Sequence, residues 1–301
     1  MYVMVNVLIS TYNGEKFIEE QLNSINRQSF QNFHVYIRDD GSQDHTVEII
    51  RRWIKNTENE NRYTLLVENN LGFCGSFFEL LKLAETGDFW AFCDQDDIWY
   101  EKKLERAIEI IQPTDNNVPI AYHANFKLVN KDGKKIGYYH ANKNKYSFRK
   151  SITSSICYGF AMVINRQMRD EVLKSNWHQI QSHDWYISMI AMGFGKLLFD
   201  DQEVAEHRMH ESNTSPSTLL QKIKKGVGMI SNTSIYTKNS REYYRRYKDR
   251  LSKENQIILG RFLNKRYSFI QSIYKACYPG RWNDKVSVEI MLRVLMLIGV
   301  I

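Results

Sequence analysis

Proline, cysteine and glycine are scarce in this chain: its 301 residues include only 4 prolines, 4 cysteines and 15 glycines. With so few of these residues and no internal repeat, the sequence argues against a solenoid, a propeller or a low-complexity chain. The cysteines are far apart and match none of the spacings of zinc or redox motifs, so we interpret them as reduced thiols in the core. They are Cys74, Cys93, Cys157 and Cys277.

Long hydrophobic runs are also missing. The segment from Met1 to Ile9 has no basic start followed by a long apolar stretch and a cleavage site, so we expect a protein without a secretory signal that stays in the cytosol. The segment from Ser287 to Ile301 is mostly apolar, but Glu289 and Arg293 interrupt it, and a spanning helix needs about 20 apolar residues. We expect this segment either to lie in a membrane surface or to pack against the protein's own core.

Positive charge is concentrated near the C-terminal end. The net charge is +7, yet residues 222–266 contain thirteen Lys or Arg against three acidic residues, a net +10, which leaves −3 for the remainder. Such a stretch fits nucleic acid, an anionic lipid surface or an ordinary solvated helix face. Composition does not separate these three possibilities.

Apolar runs alternate with helical patterns over the first third of the chain. Strands alternating with helices at this spacing predict an α/β fold with a parallel sheet that is covered on both faces. The predicted strands are 3–9, 33–38, 63–67 and 89–93, and the predicted helices are 16–25, 46–54, 77–84 and 103–111. Further along, we predict strands at 120–130 and 160–164, helices at 167–173 and 184–192, and a basic helical pattern from 218 onward.

Polar residues follow each of the first four predicted strands. Because ligands bind at the carboxyl ends of the strands in such sheets, we expect these residues to form one binding edge. They are Ser10-Thr11-Tyr12-Asn13-Gly14, Asp39-Asp40-Gly41-Ser42, Glu68-Asn69-Asn70-Leu71-Gly72 and Asp94-Gln95-Asp96-Asp97.

The run at 94–97 carries three carboxylates in four residues, which repel one another unless a cation lies among them. Magnesium or manganese fits best, because these hard ions take one or two protein carboxylates together with diphosphate oxygens. The alternative is a helix N-terminus, where the macrodipole stabilises acidic residues. Likewise, the run at 39–42 is either a turn that caps the next helix or a carboxylate that accepts a hydrogen bond from uracil or thymine.

Jointly, the four motifs resemble the inverting glycosyltransferases of family 2, over about residues 3 to 213. The run Asp-Gln-Asp-Asp-Ile-Trp at 94–99 is similar to the bacterial rhamnosyltransferases that build polysaccharides. The resemblance implies a GT-A fold with a nucleotide-sugar-binding half at 1–112 and an acceptor-binding half of the same domain at 113–215. A basic helical extension at 216–301 would follow.

The resemblance also implies roles for individual residues. Asp184, in His183-Asp184-Trp185, is expected to be the base that takes the acceptor proton; alternatively or in addition, it is the N-cap of the next helix. His210 and Asn213 match a family segment that closes over the diphosphate, whereas His207 stands where an aromatic residue is usual. The expected metal ligands for Mn²⁺ or Mg²⁺ are Asp94, Asp96 and His210. The expected nucleotide-sugar-binding residues are Thr11, Tyr12, Asn13, Asp39, Asp40, Gly72, Asp94, Gln95 and Asp97.

From this resemblance we expect the transfer of a sugar, L-rhamnose from dTDP-rhamnose, to a lipid-linked oligosaccharide in cell-surface polysaccharide synthesis. Alternatives are another donor such as a UDP-hexose, or an inactive protein that only binds the nucleotide-sugar. The enzyme is expected in the cytoplasm, with a peripheral contact on the anionic inner face of the plasma membrane.

Other functions fit the sequence less well. A processive synthase usually has Gln-x-x-Arg-Trp and spanning helices, and here Arg281-Trp282 lacks the preceding glutamine. A nucleic-acid binder that stacks bases on Tyr243, Tyr244 and Tyr247 would leave the acidic strand ends unexplained, so we expect no nucleic-acid partner.

Overall fold

The computed structural model describes residues 3–141, 146–210, 234–263 and 269–298. Within these ranges the chain forms nine strands and eleven α-helices. The strands are β1 Val5–Thr11, β2 Phe33–Asp39, β3 Tyr63–Val67, β4 Phe89–Asp94, β5 Ile98–Trp99, β6 Ile120–Asn130, β7 Lys135–Tyr139, β8 Met162–Asn165 and β9 Lys196–Met209. The helices are α1 Ile18–Asn26, α2 Thr46–Asn56, α3 Gly72–Leu83, α4 Lys103–Ile111, α5 Phe148–Thr153, α6 Arg166–Leu173, α7 His183–Phe194, α8 Ser234–Tyr247, α9 Lys253–Leu263, α10 Phe269–Ala276 and α11 Val286–Leu297.

All nine strands belong to one sheet. Its order is β3-β2-β1-β4-β8-β6-β9-β5, and β7 pairs with β6 outside this path. The first four strands are parallel, as predicted, but β8 runs antiparallel to both β4 and β6, so the sheet as a whole is mixed. The sheet also crosses the predicted boundary at 112/113 without a break, since β4 pairs with β8 and β5 pairs with β9.

Two hydrophobic cores cover the two faces of this sheet. In β1, Leu8 points into the core formed with α3 and α7, whereas Val7 and Ile9 point into the core formed with α1 and α4. All three side chains are fully buried. Burial on both faces is why this strand reads as a continuous apolar run rather than as an alternating pattern.

The C-terminal helices are part of the first core. Tyr243 and Tyr247 of α8 are buried against Tyr186 of α7, which removes both rings from the base-stacking role considered above. Trp282 is buried as well, whereas Cys277 is exposed, which corrects its assignment to the core. Among the described residues, no helix is long and apolar enough to cross a bilayer.

Candidate active site at the carboxyl edge of the sheet

The loop after β1 is fastened to the loop after β4 by one side chain. The Gln95 amide accepts a hydrogen bond from the Tyr12 backbone N–H at 2.8 Å and donates one to the Tyr12 carbonyl at 3.0 Å. Gly14 lies so close that a Cβ there would be 2.3 Å from the Gln95 Oε1. Tyr12 itself remains 48% exposed, so the two Gln95 hydrogen bonds fix its backbone and leave its ring accessible.

Asp39 ties the ends of β1 and β2 together from inside the protein. Its carboxylate accepts hydrogen bonds from the Thr11 hydroxyl at 2.9 Å, and from the Ser42 hydroxyl at 2.6 Å and backbone N–H at 2.8 Å. The Ser42 hydroxyl accepts a hydrogen bond from the Asn13 N–H at 2.9 Å, and Asn13 has a φ of 49°. Thr11 and Asp39 are both buried, so their predicted contact with the nucleotide remains a prediction.

Asp40 fixes the start of helix α3. Its carboxylate forms an ion pair with Arg38 and accepts hydrogen bonds from the backbone N–H groups of Leu71 at 2.9 Å and Gly72 at 2.8 Å. A carboxylate at a helix N-terminus satisfies unpaired N–H groups and complements the macrodipole. The helix therefore begins at Gly72 rather than at the predicted Phe77. Gly72 has a φ of 73°, a conformation that glycine adopts without strain.

The acidic run at 94–97 ends β4 and meets two histidines from β9 and the residue after it. The Asp97 Oδ1 lies 2.7 Å from the Nδ1 of His207, and the Asp96 Oδ2 lies 2.7 Å from the Nε2 of His210. Burial opposes protonation of His207, but the Asp97 carboxylate outweighs it and raises the pKa of His207 to about 9. Burial raises the pKa of Asp97, and the charge of His207 opposes this rise, so each side chain favours the charged form of the other.

Asp94, the last residue of β4, interacts electrostatically with the other carboxylates at this edge. Burial raises its pKa well above the ordinary value, and the charges of Asp97, Asp96 and Asp184 raise it further. The ring of His183, next to Asp184 in the chain, lies 4.9 Å from the ring of Phe92 in β4, so Asp184 lies near the end of the strand that carries Asp94. Asp40 joins the same region through α3, since Phe73, beside Gly72, contacts the ring of His183 with 6.2 Å between the centroids.

Asp184 lies inside the first turn of α7. The helix begins at His183 and its N-cap residue is Ser182, so the alternative that Asp184 is the N-cap is wrong. The Ser182 hydroxyl donates to the Asp184 Oδ1 at 2.5 Å, and the side chain is partly exposed. One carboxylate oxygen is thereby oriented by its neighbour, which leaves the other available for a proton.

Two buried titratable residues beside this edge were not predicted. His183 packs against Phe77 and Phe92, burial lowers its pKa to about 4, and neither ring nitrogen has a hydrogen-bond partner among the described residues. Lys103 lies over Trp99 with its Nζ 3.7 Å from the ring centroid, and burial lowers its pKa to about 7. Lys103 shares an i, i+4, i+8 row with two buried apolar residues of α4, a pattern that indicates burial.

The protein groups at this edge supply only part of the ligand set that a divalent metal needs. Asp96 and His210 are in direct contact, but within the described ranges no three His, Cys, Asp or Glu side chains converge on one point. Carboxylate oxygens and an imidazole are suitable ligands for Mn²⁺, which completes its shell with phosphate oxygens. The residues fit a metal that arrives with a diphosphate. Asn213, predicted to follow His210 in this segment, lies outside the described residues.

Comparisons with known proteins agree with this architecture. The chain is 28% identical over 247 residues to the dTDP-rhamnosyl transferase RfbG of Shigella flexneri, covering 74% of this chain and 79% of the relative. It is 32% identical over 128 residues to the Escherichia coli UDP-Glc:alpha-D-GlcNAc-diphosphoundecaprenol beta-1,3-glucosyltransferase WfgD, covering 42% of this chain and 47% of that protein. The crystal structure of S. aureus TarS 1-349 in complex with UDP-GlcNAc superposes with a TM-score of 0.59 at 21% identity, covering 98% of this chain and 80% of that one.

The model of the family described as glycosyl transferase family 2 matches residues 6–173, which is more than half of the chain and extends from the second residue of β1 to the end of α6. The solved neighbour supports the same mixed sheet with its flanking helices, which is the GT-A fold. The chain belongs to glycosyl transferase family 2 and is a glycosyltransferase with a GT-A fold.

Proposed function

We propose that this enzyme transfers L-rhamnose from dTDP-rhamnose to an acceptor hydroxyl, with inversion at the anomeric carbon, during the synthesis of a cell-surface polysaccharide. The observation that carries this proposal is that Asp184 follows His183, whose ring lies 4.9 Å from that of Phe92 in β4, at the end of the strand where Asp94 and Asp96 lie. Similarity to a dTDP-rhamnosyl transferase of Shigella flexneri supports the choice of donor.

In this proposal Asp184 is the general base. The acceptor hydroxyl oxygen attacks the anomeric carbon, its proton passes to Asp184, and the bond from that carbon to the diphosphate oxygen breaks with its electron pair. The hydrogen bond from Ser182 to the Asp184 Oδ1 supports this role, because it fixes the carboxylate before the acceptor arrives. A base that is held in position contributes typically about 10²- to 10⁴-fold to the rate.

Asp94, Asp96 and His210 would hold Mn²⁺ or Mg²⁺. When bound, such an ion stabilises the negative charge that develops on the departing nucleotide diphosphate. The protein's own contribution is to keep these ligands in place. Arg208 donates to the Asp96 carbonyl at 3.2 Å, and the ion pair between Asp97 and His207 fastens β9 to the acidic run.

The exposed ring of Tyr12 is proposed to contact the nucleobase, with Thr11, Asn13, Asp39 and Asp40 fixing the loops around it. The hydrogen bonds that already occupy Asp39 and Asp40 support this division of roles. Gln95 contributes in the same way, through its two bonds to the backbone of Tyr12.

Apolar side chains next to Asp184 support a deoxy sugar. Phe73 is 43% exposed and contacts His183. Tyr158 is 41% exposed and precedes Gly159, where a Cβ would lie 3.8 Å from the Cβ of Asp184. A methyl group, which rhamnose carries at its sixth carbon, is stabilised by apolar neighbours, whereas the hydroxymethyl group of glucose needs hydrogen-bond partners.

The acceptor is proposed to be a lipid-linked oligosaccharide, reached from the cytoplasmic side of the membrane. The Escherichia coli relative WfgD is a glucosyltransferase with a diphosphoundecaprenol-linked acceptor, which supports this choice. The donor of WfgD is UDP-Glc, which also supports the alternative of a UDP-hexose.

Heat protection by a panel of nucleotide-sugars tests the donor. The protein is melted with dTDP-rhamnose, UDP-glucose, UDP-GlcNAc or GDP-mannose, each with Mn²⁺ and with EDTA. A ligand at about 100 times its Kd stabilises the folded state by about 2.7 kcal/mol, and we expect dTDP-rhamnose with Mn²⁺ to give the largest shift. A larger shift with a UDP-hexose would establish the alternative donor. No shift with any of them would contradict the proposed function.

A further inference from the structure

Helix α11 is apolar on two opposite faces. Leu292, Leu295 and Met296 are buried in the core. On the other side, Val286, Ile290, Val294 and Leu297 are 57%, 58%, 49% and 42% exposed, and at about 3.6 residues per turn they lie within about a quarter of the circumference. A helix with apolar side chains on two opposite faces is expected to have both faces covered.

The neighbouring helix α10, which packs against α11, exposes apolar side chains as well. Ile270 and Tyr274 are each 65% exposed, and Ile273 between them is 38% exposed. We call the exposed apolar residues of the two helices and of the position after α11 the C-terminal apolar surface. They are Ile270, Ile273, Tyr274, Val286, Ile290, Val294, Leu297 and Ile298. Concentrated exposure of this kind marks an interaction site.

Basic residues accompany this surface. Arg281 and Lys285 are exposed in the segment that leads into α11, and Asp284 between them forms an ion pair with Lys150. Apolar side chains beside Lys and Arg are the combination that binds an anionic lipid surface. A second copy of this chain suits the surface poorly, because it would bring the same basic residues face to face.

We infer that the C-terminal apolar surface docks the enzyme onto an anionic lipid bilayer, with Ile290 and Val294 inserted among the headgroups and acyl chains. The inference takes from the proposed function only that the acceptor is lipid-linked, which gives the docking a purpose. The sequence offered two alternatives for this segment, packing against the core or lying in a membrane surface. In this inference both apply, because one face of α11 packs on the protein and the other faces lipid.

Co-flotation of the full chain with vesicles tests the inference. We expect binding to phosphatidylcholine vesicles that contain phosphatidylglycerol, and weaker binding to phosphatidylcholine alone or at high salt. The variant Ile290→Glu/Val294→Glu should lower the partition coefficient at least about tenfold. The control is Ile136→Glu: Ile136 is also 58% exposed but lies in β7, so this variant should bind as the unaltered protein does.

Heat protection by nucleotide-sugar is measured on every variant, which separates a failure of docking from a failure of the proposed function. The inference is overturned if the unaltered chain ignores anionic vesicles, or if the control loses as much binding as the double variant. It is also overturned if the unaltered chain is a dimer in solution that the double variant converts to a monomer, since a second copy would then cover the surface.

Discussion

The carboxylates at the edge of the sheet differ in how many of their oxygens already accept hydrogen bonds. Asp39 and Asp40 accept hydrogen bonds on both oxygens, whereas only one oxygen of Asp184 accepts a bond from the described residues. A carboxylate with hydrogen bonds on both oxygens stabilises the loops that donate those bonds. A carboxylate with one oxygen that accepts no such bond is suited to take a proton.

Replacing Asp184 by Asn should lower kcat by about 10²- to 10⁴-fold, because the amide cannot accept the acceptor proton. Heat protection by the donor should be retained. The matched variant is Ser182→Ala, which removes the hydroxyl bond to the Asp184 Oδ1, keeps the bond from the Trp185 N–H, and should cost far less activity. Initial rates with saturating donor decide the point, and full turnover by Asp184→Asn would refute the role of the base.

His183 makes stability depend on pH. Its pKa is about 4 in the folded protein against an ordinary 6.5, so below pH 6.5 the unfolded chain binds a proton that the folded chain refuses. The free energy of unfolding therefore falls as the pH drops from 6.5 towards 4, by up to about 1.4 kcal/mol per pH unit. His123, with a pKa of about 3, acts in the same direction.

The variant His183→Leu should reduce this slope and should be tolerated at about pH 7, since the ring nitrogens have no partners to lose among the described residues. Urea unfolding between about pH 7 and about pH 4.5 measures the slope. The exposed His140→Leu is the control for removing a histidine as such. An unchanged slope for His183→Leu would show that His183 does not carry the effect.

Among the elements, the first four strands could be predicted from the sequence and β9 could not. Strands β1 and β4 are buried on both faces and therefore read as apolar runs. Strand β9 interrupts its apolar residues with Asp200, Asp201 and Gln202, and it pairs with β6, which lies far away in the sequence. Such pairing depends on the whole sheet, so the contact of His207 with Asp97 could not be predicted either.

The start of α3 depends on a buried ion pair. Replacing Asp40 by Asn leaves the Arg38 charge without its partner, and such losses typically cost about 3–5 kcal/mol of unfolding free energy. The matched control is Glu79→Gln on the same helix, which breaks an exposed pair with Lys82 and should cost at most about 0.5 kcal/mol. Urea unfolding of both variants compares them, and equal stability would contradict the proposed importance of Asp40.

At the scale of the whole molecule, the described parts of the C-terminal segment, residues 234–263 and 269–298, are more closely integrated than the basic composition of the segment indicates. Tyr243 and Tyr247 of α8 and Leu259 of α9 lie in the same core as Ile187 of α7. The amino-acid composition reflects the charged residues on the exposed faces of these helices. Whether their aromatic side chains are buried depends on which helix they pack against, which composition does not reveal. The division at 112/113 and 215/216 remains a prediction about function rather than about folding units.

Removing residues 216–301 should therefore leave a chain that aggregates, because the apolar side chains of α7 that pack against this segment would face solvent. Co-expression of the missing segment should restore soluble protein. Size-exclusion chromatography and thermal unfolding of the two preparations provide the measurement. A soluble, monomeric 1–215 with an unchanged melting temperature would show that the tail is a separable extension.

The position of β9 in the sheet also orders events during synthesis. The chain leaves the ribosome from its N-terminus, and His207 follows Asp97 by 110 residues. A nascent chain that has completed its first four strands thus carries an acidic run whose histidine partners have not yet been translated. Asp97 can pair with His207, and Asp96 with His210, only after β9, the last strand of the described sheet, has been made.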